Sequence, residues 1–409
     1  VRAQDWKKGL ETKMSNYNVQ TVTWGEQAAK TGRIRLSEGA TASPVTPLIG
    51  AEIEGFDPEA GVNDDILEDI TNILLRYKVV MLRSKGFWKM NPEQHTRFCQ
   101  QLSKHWGIVP DTPQKRLNES RGLSVHPFLP WLKGYPHIWP TGTVAGGGQQ
   151  FKIRGHEEVE NSEPYGKKKP LEPRPSVKAP RRPDKKIKIP KPGTFGASAL
   201  KTDSVENGAN SFHFDDGFFH QPPSAVVLNA IVLPRLGGDT IFTDMGAAFG
   251  GLSPELRERC TQLTQTMDWS GFVTWEREAD LRAVSGDRSL RAHVDQLKKD
   301  YPPSVQPLIR QHPVTGELSI YASNGFTQKI NEVPDEESRN ILANLYRLAE
   351  RPEYQVRLRW HDEGDVCIYD NRITNHYAVA DYGQVGPRSL HHIALLGEPT
   401  KNARGQIIG

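Results

Sequence analysis

The 409-residue sequence predicts a mainly β fold, either a β-sandwich or a jelly roll, with helices packed outside it. From Ser211 onward, short runs rich in β-branched and aromatic residues follow one another, and Gly, Pro, Asp and Asn separate them. Runs of this length and spacing are typical of strands in antiparallel sheets. The runs are 225–228, 231–233, 240–242, 318–321, 356–358, 366–369 and 389–396.

Four helices are predicted around these strands. Residues 64–77 (DDILEDITNILLRY) carry apolar side chains at helical spacing, and residues 78–82 then read as a buried strand. A second helix is predicted to begin with Asn91 as its N-cap and Pro92 as its first residue, and to run to Trp106. Two further helices begin at Ser253-Pro254-Glu255 and at Asp335-Glu336-Glu337.

Composition and charge divide the chain into three parts. Residues 1–45 are polar and are expected to form an extended N-terminal arm, whereas 46–409 form the folded domain. That domain carries an insertion at about 141–200. Within the insertion, 167–191 holds eleven Lys or Arg against two acidic residues, a local net charge of +9. The whole chain carries +3, so the remainder carries −6 and nucleic-acid binding does not follow from the basic pI.

The cellular setting is inferred from what the sequence contains. No run of eighteen apolar residues occurs, so no membrane span is predicted. The three cysteines are few and far apart, which argues against a disulfide scaffold or a cysteine-based zinc site. A reducing compartment, the cytoplasm, is therefore expected.

The segment around His213 carries the candidate chemistry. In a strand, residues i and i+2 share a face, so His213 and Asp215 would present an imidazole and a carboxylate side by side. His376 follows 163 residues after His213. Two histidines and one carboxylate on one face of a metal leave three open positions, as in non-haem Fe(II) oxygenases. In a chain with thirteen histidines, an isolated His-x-Asp is more often structural, so its context has to decide.

That context includes Arg388, twelve residues after His376 and at the start of an apolar strand. An oxygenase that uses 2-oxoglutarate needs a guanidinium at such a place, because Arg pairs with a carboxylate through two parallel hydrogen bonds. Thr240 offers a hydroxyl for the same carboxylate. The competing interpretation of Arg388 is a salt bridge at a strand end.

Longer stretches of the chain resemble the TauD/TfdA family of Fe(II)- and 2-oxoglutarate-dependent dioxygenases, most closely its taurine and sulfonate branch. They run in the family's order between 46 and 399, and the arm and the insertion lie outside them. The stretches are TPLIGAEIEG (46–55), RYKVVMLR (76–83), HFDDGFFHQPPSAVVLNAIVLPRLGGDTIFTDM (213–245), HPVTGELSIYASNGFT (312–327), PEYQVRLRW (352–360), GDVCIYDNRITNHYAVADY (364–382) and RSLHHIALLGEP (388–399).

The resemblance implies a cupin-like double-stranded β-helix, Fe(II) as cofactor and 2-oxoglutarate and O₂ as cosubstrates. It implies that His213, Asp215 and His376 bind the iron. It also implies that Arg388 and Thr240 hold the distal carboxylate of 2-oxoglutarate. The reaction it implies is hydroxylation of a small organic molecule.

Two departures from the family pattern concern the substrate. Taurine dioxygenases carry a second arginine four residues after the first, which grips the sulfonate, and here that residue is His392. Residues i and i+4 of a strand share a face, so His392 is expected to look into the same cavity as Arg388. His126 matches a family histidine, but the tyrosine that follows it in the family is absent. A small sulfonate such as taurine is therefore not the expected substrate.

Two aromatic residues complete the predicted substrate site. Phe326 matches a family position that packs on substrate, and a core position is the alternative. Trp269 lies before a Gly-rich and charged stretch that resembles a lid, and packing inside the protein is again the alternative.

Two other functions stay open at this stage. One is an oxygenase of the same fold acting on a nucleic acid or a protein tail, docked by the basic insertion. That segment has no aromatic residues between Lys167 and Lys191, so nucleic acid is not the expected partner. The other is a jelly-roll binding module without catalysis. The insertion itself is a linker, a lid or subunit contact, or a docking arm, and homo-oligomers are not excluded.

Overall fold

Two β-sheets pack face to face in the computed structural model, which describes residues 31–58, 62–106, 122–126, 131–141, 159–160, 212–270, 290–379, 381–382 and 388–408. The strands of the described part are β1 (Ile34–Arg35), β2 (Thr41–Pro44), β3 (Ala51–Glu54), β4 (Val79–Leu82), β5 (Trp131–Leu132), β6 (Trp139–Thr141), β7 (Val159–Glu160), β8 (Ala225–Val232), β9 (Thr240–Asp244), β10 (Thr264–Met267), β11 (Ser304–Pro307), β12 (Ile309–Gln311), β13 (Leu318–Ile320), β14 (Thr327–Ile330), β15 (Gln355–Leu358), β16 (Val366–Asp370), β17 (Thr374–Ala378) and β18 (Ser389–Leu395).

The larger sheet has eight strands in the order β1-β2-β3-β4-β16-β8-β18-β6. Its neighbours pair antiparallel except β3 and β4, which run parallel. The smaller sheet is β15-β9-β17, with both pairs antiparallel. Apolar side chains of both sheets share one core cluster, in which Leu228 and Leu390 of the larger sheet lie with Phe242 and Leu358 of the smaller one. The space between the sheets is where the candidate site residues meet.

Helices cover the outer face of the larger sheet and surround a second core. Their bounds are α1 (Asp64–Tyr77), α2 (Pro92–Trp106), α3 (Met245–Gly250), α4 (Pro254–Cys260), α5 (Leu290–Asp300) and α6 (Asp335–Ala349), with short 3₁₀ turns at Ser37–Gly39 and Pro352–Tyr354. Helices α1 and α2 bury their apolar faces against β4, β8 and β16. Helices α3, α4 and α6 pack with β10 and β12–β14 in the second core.

Capping residues set the predicted helix ends. The Asn63 side chain accepts a hydrogen bond from the N–H of Ile66 and begins α1, which ends where Lys78 takes a left-handed conformation (φ 65°). At α2, Asn91 and Gln94 exchange side-chain-to-backbone hydrogen bonds of 2.9 Å in a capping box. At α4, the Ser253 side chain is the cap and accepts a hydrogen bond from the N–H of Leu256. All four predicted helices are confirmed.

The predicted strands are also found, with two differences. The runs 225–228 and 231–233 form the single strand β8, because Asn229 is buried and its side chain donates to the Met90 carbonyl (3.0 Å) instead of ending the strand. Helices α3 and α5 and strands β1–β3, β5–β7, β10–β12, β14 and β17 were not predicted.

The end of the predicted arm belongs to the folded domain. Strands β1 and β2 lie inside 1–45, pair with each other and continue to β3. Ile34 and Ala42 are fully buried, so this apolar pair fastens the segment to the sheet. Residues 1–30, and the insertion apart from Thr141 and β7, lie outside the described residues, so the roles suggested for 167–191 stay predictions. Within the described ranges, no helix has the length and apolar character that crossing a membrane requires.

Candidate functional site

His213 and His376 are paired through their backbones. The N–H of His213 donates to the His376 carbonyl (3.1 Å), and the N–H of His376 donates to the His213 carbonyl (2.9 Å). This reciprocal exchange is the hydrogen-bonded pair of an antiparallel ladder, which puts both side chains on the same side. The imidazole centroids are 4.3 Å apart. A separation of 163 residues in sequence therefore becomes direct contact.

Asp215 comes to the same place through a turn, and not along a strand as predicted. The turn begins at Asp215, and Asp216 adopts a left-handed conformation with φ 50°. The side chain of Asn371 holds the turn: its Oδ1 accepts from the N–H of Asp215 (2.9 Å) and its Nδ2 donates to the Asp215 carbonyl (2.8 Å). The fully buried amide thus replaces a strand partner.

The three side chains present one ligand atom each to a common point. Oδ1 of Asp215 lies 3.5 Å from Nε2 of His213 and 3.9 Å from Nε2 of His376. All the ligand atoms lie within 4.8 Å of one another. In the part of the chain that the structure describes, this is the group of His, Cys, Asp and Glu side chains that can hold a metal ion.

The protonation states of the group suit a metal. Burial lowers the pKa of His376 to about 3, against the opposing charge of Asp215, so its imidazole is neutral at physiological pH. Burial opposes ionisation of Asp215, but the imidazoles of His376, His213 and His392 hold its pKa well below the usual value. Neutral imidazole and ionised carboxylate are the forms that coordinate a divalent cation, so these residues fit the iron that the sequence predicts.

The other carboxylate oxygen of Asp215 faces two donors. The Tyr369 hydroxyl and Nε2 of His392 both bond to Oδ2, the latter at 3.0 Å. Burial, and then the charge of Asp215, raise the pKa of Tyr369 well above its usual value, so the phenol stays protonated. The ring of His392 also lies against Trp139, with centroids 4.0 Å apart.

Arg388 and Thr240 come together in the same interior. Arg388, the residue directly before β18, donates through Nη2 to the Thr240 hydroxyl on β9 (3.2 Å) and through Nε to the Gly238 carbonyl (2.9 Å). Trp360 places its indole Nε1 3.4 Å from the same hydroxyl and its ring 5.9 Å from the guanidinium carbon. The sequence predicted that Arg388 and Thr240 act together, but it did not predict the contact of Trp360.

Arg388 is a buried cation with no carboxylate within 4.0 Å among the described residues. Burial lowers the pKa of Arg388, and Tyr382 and Asp239 act in the opposite direction. A buried charge without a close counter-ion is costly, so the position favours an anionic ligand. Gly238 makes room for the Arg388 side chain. Its backbone has φ 73°, and a Cβ on residue 238 would lie 3.0 Å from Cδ of Arg388.

The predicted substrate residues differ in where they lie. Phe326 sits edge-on to His213, with centroids 6.1 Å apart, so it borders the metal group. His126 lies 3.3 Å from Oδ1 of Asp216 through Nε2 and edge-on to Trp139. His392 lies beside the metal group, and its Nε2 is hydrogen-bonded to Oδ2 of Asp215 (3.0 Å).

Trp269 packs inside the protein, which was the alternative to a position in a lid. It is fully buried in the second core, and its indole N–H donates to the Tyr301 carbonyl (2.8 Å). A buried Trp whose N–H is satisfied by the backbone is a packing residue. The neighbouring Gly- and charge-rich stretch, 271–289, lies outside the described residues.

Fold and site together define a β-sandwich protein with a two-histidine, one-carboxylate group beside a buried arginine. Residues 178–394, more than half of the chain, match the family described as "Taurine catabolism dioxygenase TauD, TfdA family". The chain belongs to this family of 2-oxoglutarate-dependent non-haem iron dioxygenases.

Individual relatives resemble parts of the chain. It is 33% identical to an alpha-ketoglutarate-dependent sulfate ester dioxygenase of Pseudomonas putida over 49% of this chain and 64% of that protein. It is 30% identical to an alpha-ketoglutarate-dependent sulfonate dioxygenase of Saccharomyces cerevisiae, over 49% of this chain and 45% of that protein. The chain thus spans less than two thirds of either relative's length.

Solved structures support the fold. A taurine dioxygenase from Burkholderia xenovorans superposes with a TM-score of 0.59 at 21% identity, covering 90% of this chain and 93% of that one. At this identity, the likeness concerns the fold alone.

Proposed function

We propose that the protein is an Fe(II)- and 2-oxoglutarate-dependent dioxygenase that hydroxylates a small organic molecule on a double-stranded β-helix. The observation that carries this proposal is the convergence of His213, Asp215 and His376 within 4.8 Å, in the same interior as the buried pair Arg388 and Thr240. A structural role for the His-x-Asp segment alone would not require a buried arginine without a close counter-ion.

His213, Asp215 and His376 would hold the iron on one face and leave three positions open. Bound Fe(II) supplies O₂ activation coupled to the oxidative decarboxylation of 2-oxoglutarate to succinate and CO₂. The protein's part is to keep His376 neutral and Asp215 ionised, as the burial and the hydrogen bonds around them favour. A carboxylate ligand at 215 favours hydroxylation over halogenation, since a halogenase has a small residue there.

Arg388 and Thr240 would bind the distal carboxylate of 2-oxoglutarate. The Gly238 carbonyl accepts from Nε of Arg388, which fixes the direction of the guanidinium, and the four terminal N–H groups offer further donors for the ligand besides the one that Nη2 gives to Thr240. A charge-assisted bond formed away from water is strong, so this contact should govern 2-oxoglutarate affinity.

The substrate is proposed to be something other than a simple sulfonate such as taurine. The relatives' names include sulfate ester and sulfonate dioxygenases, so sulfur oxyanion compounds belong in any test. Against taurine stands His392, which occupies the place of the family's sulfonate-binding arginine and hydrogen-bonds to Asp215. An imidazole is a poor substitute for a guanidinium against a sulfonate, because it lacks the planar fork of donors that pairs with two oxygens.

The test is an assay of succinate formation with Fe(II), 2-oxoglutarate and a panel of sulfate esters, sulfonates, carboxylates and purines. Substrate-dependent succinate above the background without substrate supports the proposal, and its absence together with absent metal binding contradicts it. Efficient turnover of taurine, with a KM in the ordinary range of about 1 μM–1 mM, would overturn the substrate assignment alone.

A further inference from the structure

We propose that Tyr369 and His392 are positioning residues that hold Oδ2 of Asp215 away from the metal, so that this carboxylate binds iron through Oδ1 alone. The inference rests on the proposed function, because it assumes that the triad binds a metal. It concerns two residues outside the triad and the 2-oxoglutarate pair.

The two oxygens of Asp215 have opposite surroundings. Oδ1 faces Nε2 of His213 and Nε2 of His376 at 3.5 and 3.9 Å. Oδ2 receives the Tyr369 hydroxyl and Nε2 of His392. Since a carboxylate oxygen that accepts two hydrogen bonds has little left to offer a cation, the two donors assign Oδ1 to the metal.

The two donors come from separate strands of the larger sheet. Tyr369 is the fourth residue of β16 and is fully buried, and His392 is the fourth residue of β18 and is 4% exposed. Both strands pair with β8, so both donors are attached to a rigid part of the fold. Asn371, two residues after Tyr369, holds the backbone of Asp215, so β16 and the turn after it position both ends of this residue.

Hydrogen-bond chemistry sets the tautomer of His392. An ionised carboxylate only accepts, so Nε2 of His392 must carry the proton. Nδ1 of His392 is then the acceptor side in the neutral ring, and it is buried without a hydrogen-bond partner among the described residues. The imidazole ring of His392 packs against the ring of Trp139, and this contact fixes the plane of the imidazole. The side chain is thus oriented toward Asp215 by packing as well as by hydrogen bonding.

This arrangement has a consequence for the reaction. Three facial ligand atoms leave three open positions, of which 2-oxoglutarate needs two and O₂ needs one. A bidentate Asp215 would use a fourth position and put O₂ in competition with the cosubstrate. The two donors therefore keep the last position available.

The first test measures metal binding without substrate. Apoprotein is titrated with Co(II), and affinity and coordination number are taken from its electronic spectrum, with and without 2-oxoglutarate. Tyr369→Phe keeps the ring and removes the donor, and His392→Phe does the same at the second strand. Each is expected to lower Co(II) affinity about 10–100-fold, the usual effect of losing an outer partner of a metal ligand, and to shift the spectrum toward higher coordination.

A conservative variant separates hydrogen bonding from packing. His392→Gln can place its amide Nε2 near the position of the imidazole Nε2, so it should recover most of the affinity and the parent spectrum. Because both donors act on the same oxygen, the losses in Tyr369→Phe and His392→Phe should not be additive in the double variant.

Matched controls are Tyr77→Phe, a buried tyrosine at the end of α1, and His391→Gln, the neighbouring histidine on the opposite face of β18. Neither should change Co(II) affinity or spectrum. If Tyr369→Phe and both His392 variants behave like these controls, the inference is wrong. If His213→Ala binds Co(II) as the parent does, the proposed metal site itself fails, which is a different result. Should Tyr369→Phe not fold, the comparison of His392→Phe with His392→Gln decides.

Discussion

The Nη2 atom of Arg388 lies 3.2 Å from the hydroxyl of Thr240, and this hydrogen bond joins the two facing sheets in the interior of the site. Arg388 directly precedes β18 and Thr240 begins β9, and the two residues lie 148 positions apart in sequence. The indole of Trp360 on the same hydroxyl adds a third side chain to the contact. The three form one wall of the proposed 2-oxoglutarate site.

Replacing Arg388 by Ala should raise the 2-oxoglutarate requirement strongly. Losing one partner of a buried charge pair costs about 2–5 kcal/mol, which is roughly a 30- to several-thousand-fold loss of affinity. Metal binding should change little, because Arg388 forms no hydrogen bond or ion pair with the triad side chains among the described residues. The measurement is the KM for 2-oxoglutarate beside a Co(II) titration. An unchanged KM would remove Arg388 from the cosubstrate site.

Replacing His213 or His376 by Ala should abolish both metal binding and 2-oxoglutarate-dependent succinate formation. Each is proposed to supply one of three ligands, and a methyl group cannot replace an imidazole as a metal ligand. The exposed His220, seven residues after His213, is the matched control, and His220→Ala should behave as the parent does. Full activity in either ligand variant would refute the triad.

The grouping of the three proposed ligand residues could be predicted because each stands in a local pattern. His213 and Asp215 are two residues apart, and His376 lies in a stretch that matches the family over nineteen residues. Their geometry was predicted less well. The sequence suggested that a strand would bring His213 and Asp215 to one face, whereas Asp215 stands in a turn that Asn371 holds. His213 and Asp215 do lie side by side as predicted, but a turn and not a strand brings them together.

Residues that act through packing had no signal in the sequence. Tyr369 reaches Asp215 across 154 residues, and Trp360 reaches Thr240 across 120, and both contacts exist only once the sheets have packed. His392 was placed correctly inside the site, but alternation along a strand gives only a face. Which neighbour on that face takes its hydrogen bond depends on the position of the Asp215 turn.

Trp269→Ala should destabilise the protein and leave the cosubstrate affinity of the folded enzyme unchanged. A fully buried Trp in a core costs about 3–5 kcal/mol when truncated to Ala, because a cavity is left behind. Phe87→Ala is the control, since Phe87 is 86% exposed and its loss should stay within about 0.5 kcal/mol. Denaturant unfolding measures both. A Trp269→Ala protein as stable as Phe87→Ala, with a raised substrate KM, would favour the lid interpretation again.

Acid should destabilise the metal-free protein through buried histidines away from the triad. Burial lowers the pKa of His137 to about 4, and burial lowers that of His95 well below its usual value. His137 Nε2 lies 2.8 Å from the Thr96 hydroxyl, and His95 is fully buried on the same helix as Thr96. Both imidazoles are therefore neutral in the folded protein at pH 7.

The direction of the effect follows from proton binding. Above about pH 6.5 the His137 imidazole is neutral in both states and contributes no pH dependence. Between pH 6.5 and about 4, the unfolded chain binds a proton that the folded imidazole refuses, so the free energy of unfolding falls as the pH falls. At 1.36 kcal/mol for each pKa unit, full titration of His137 removes about 3 kcal/mol.

The measurement is urea unfolding of chelator-treated protein at pH 7.5, 6 and 5, for the parent and for His137→Gln. The glutamine amide can still hydrogen-bond to the Thr96 hydroxyl but does not titrate, so the variant should lose less stability between pH 7.5 and 5 than the parent. His220→Gln, at an exposed position, should keep the parent's slope. Because His376 and His95 titrate in parent and variant alike, the difference between the two slopes isolates His137. Equal slopes in the parent and His137→Gln would show that folding does not lower the pKa of this imidazole.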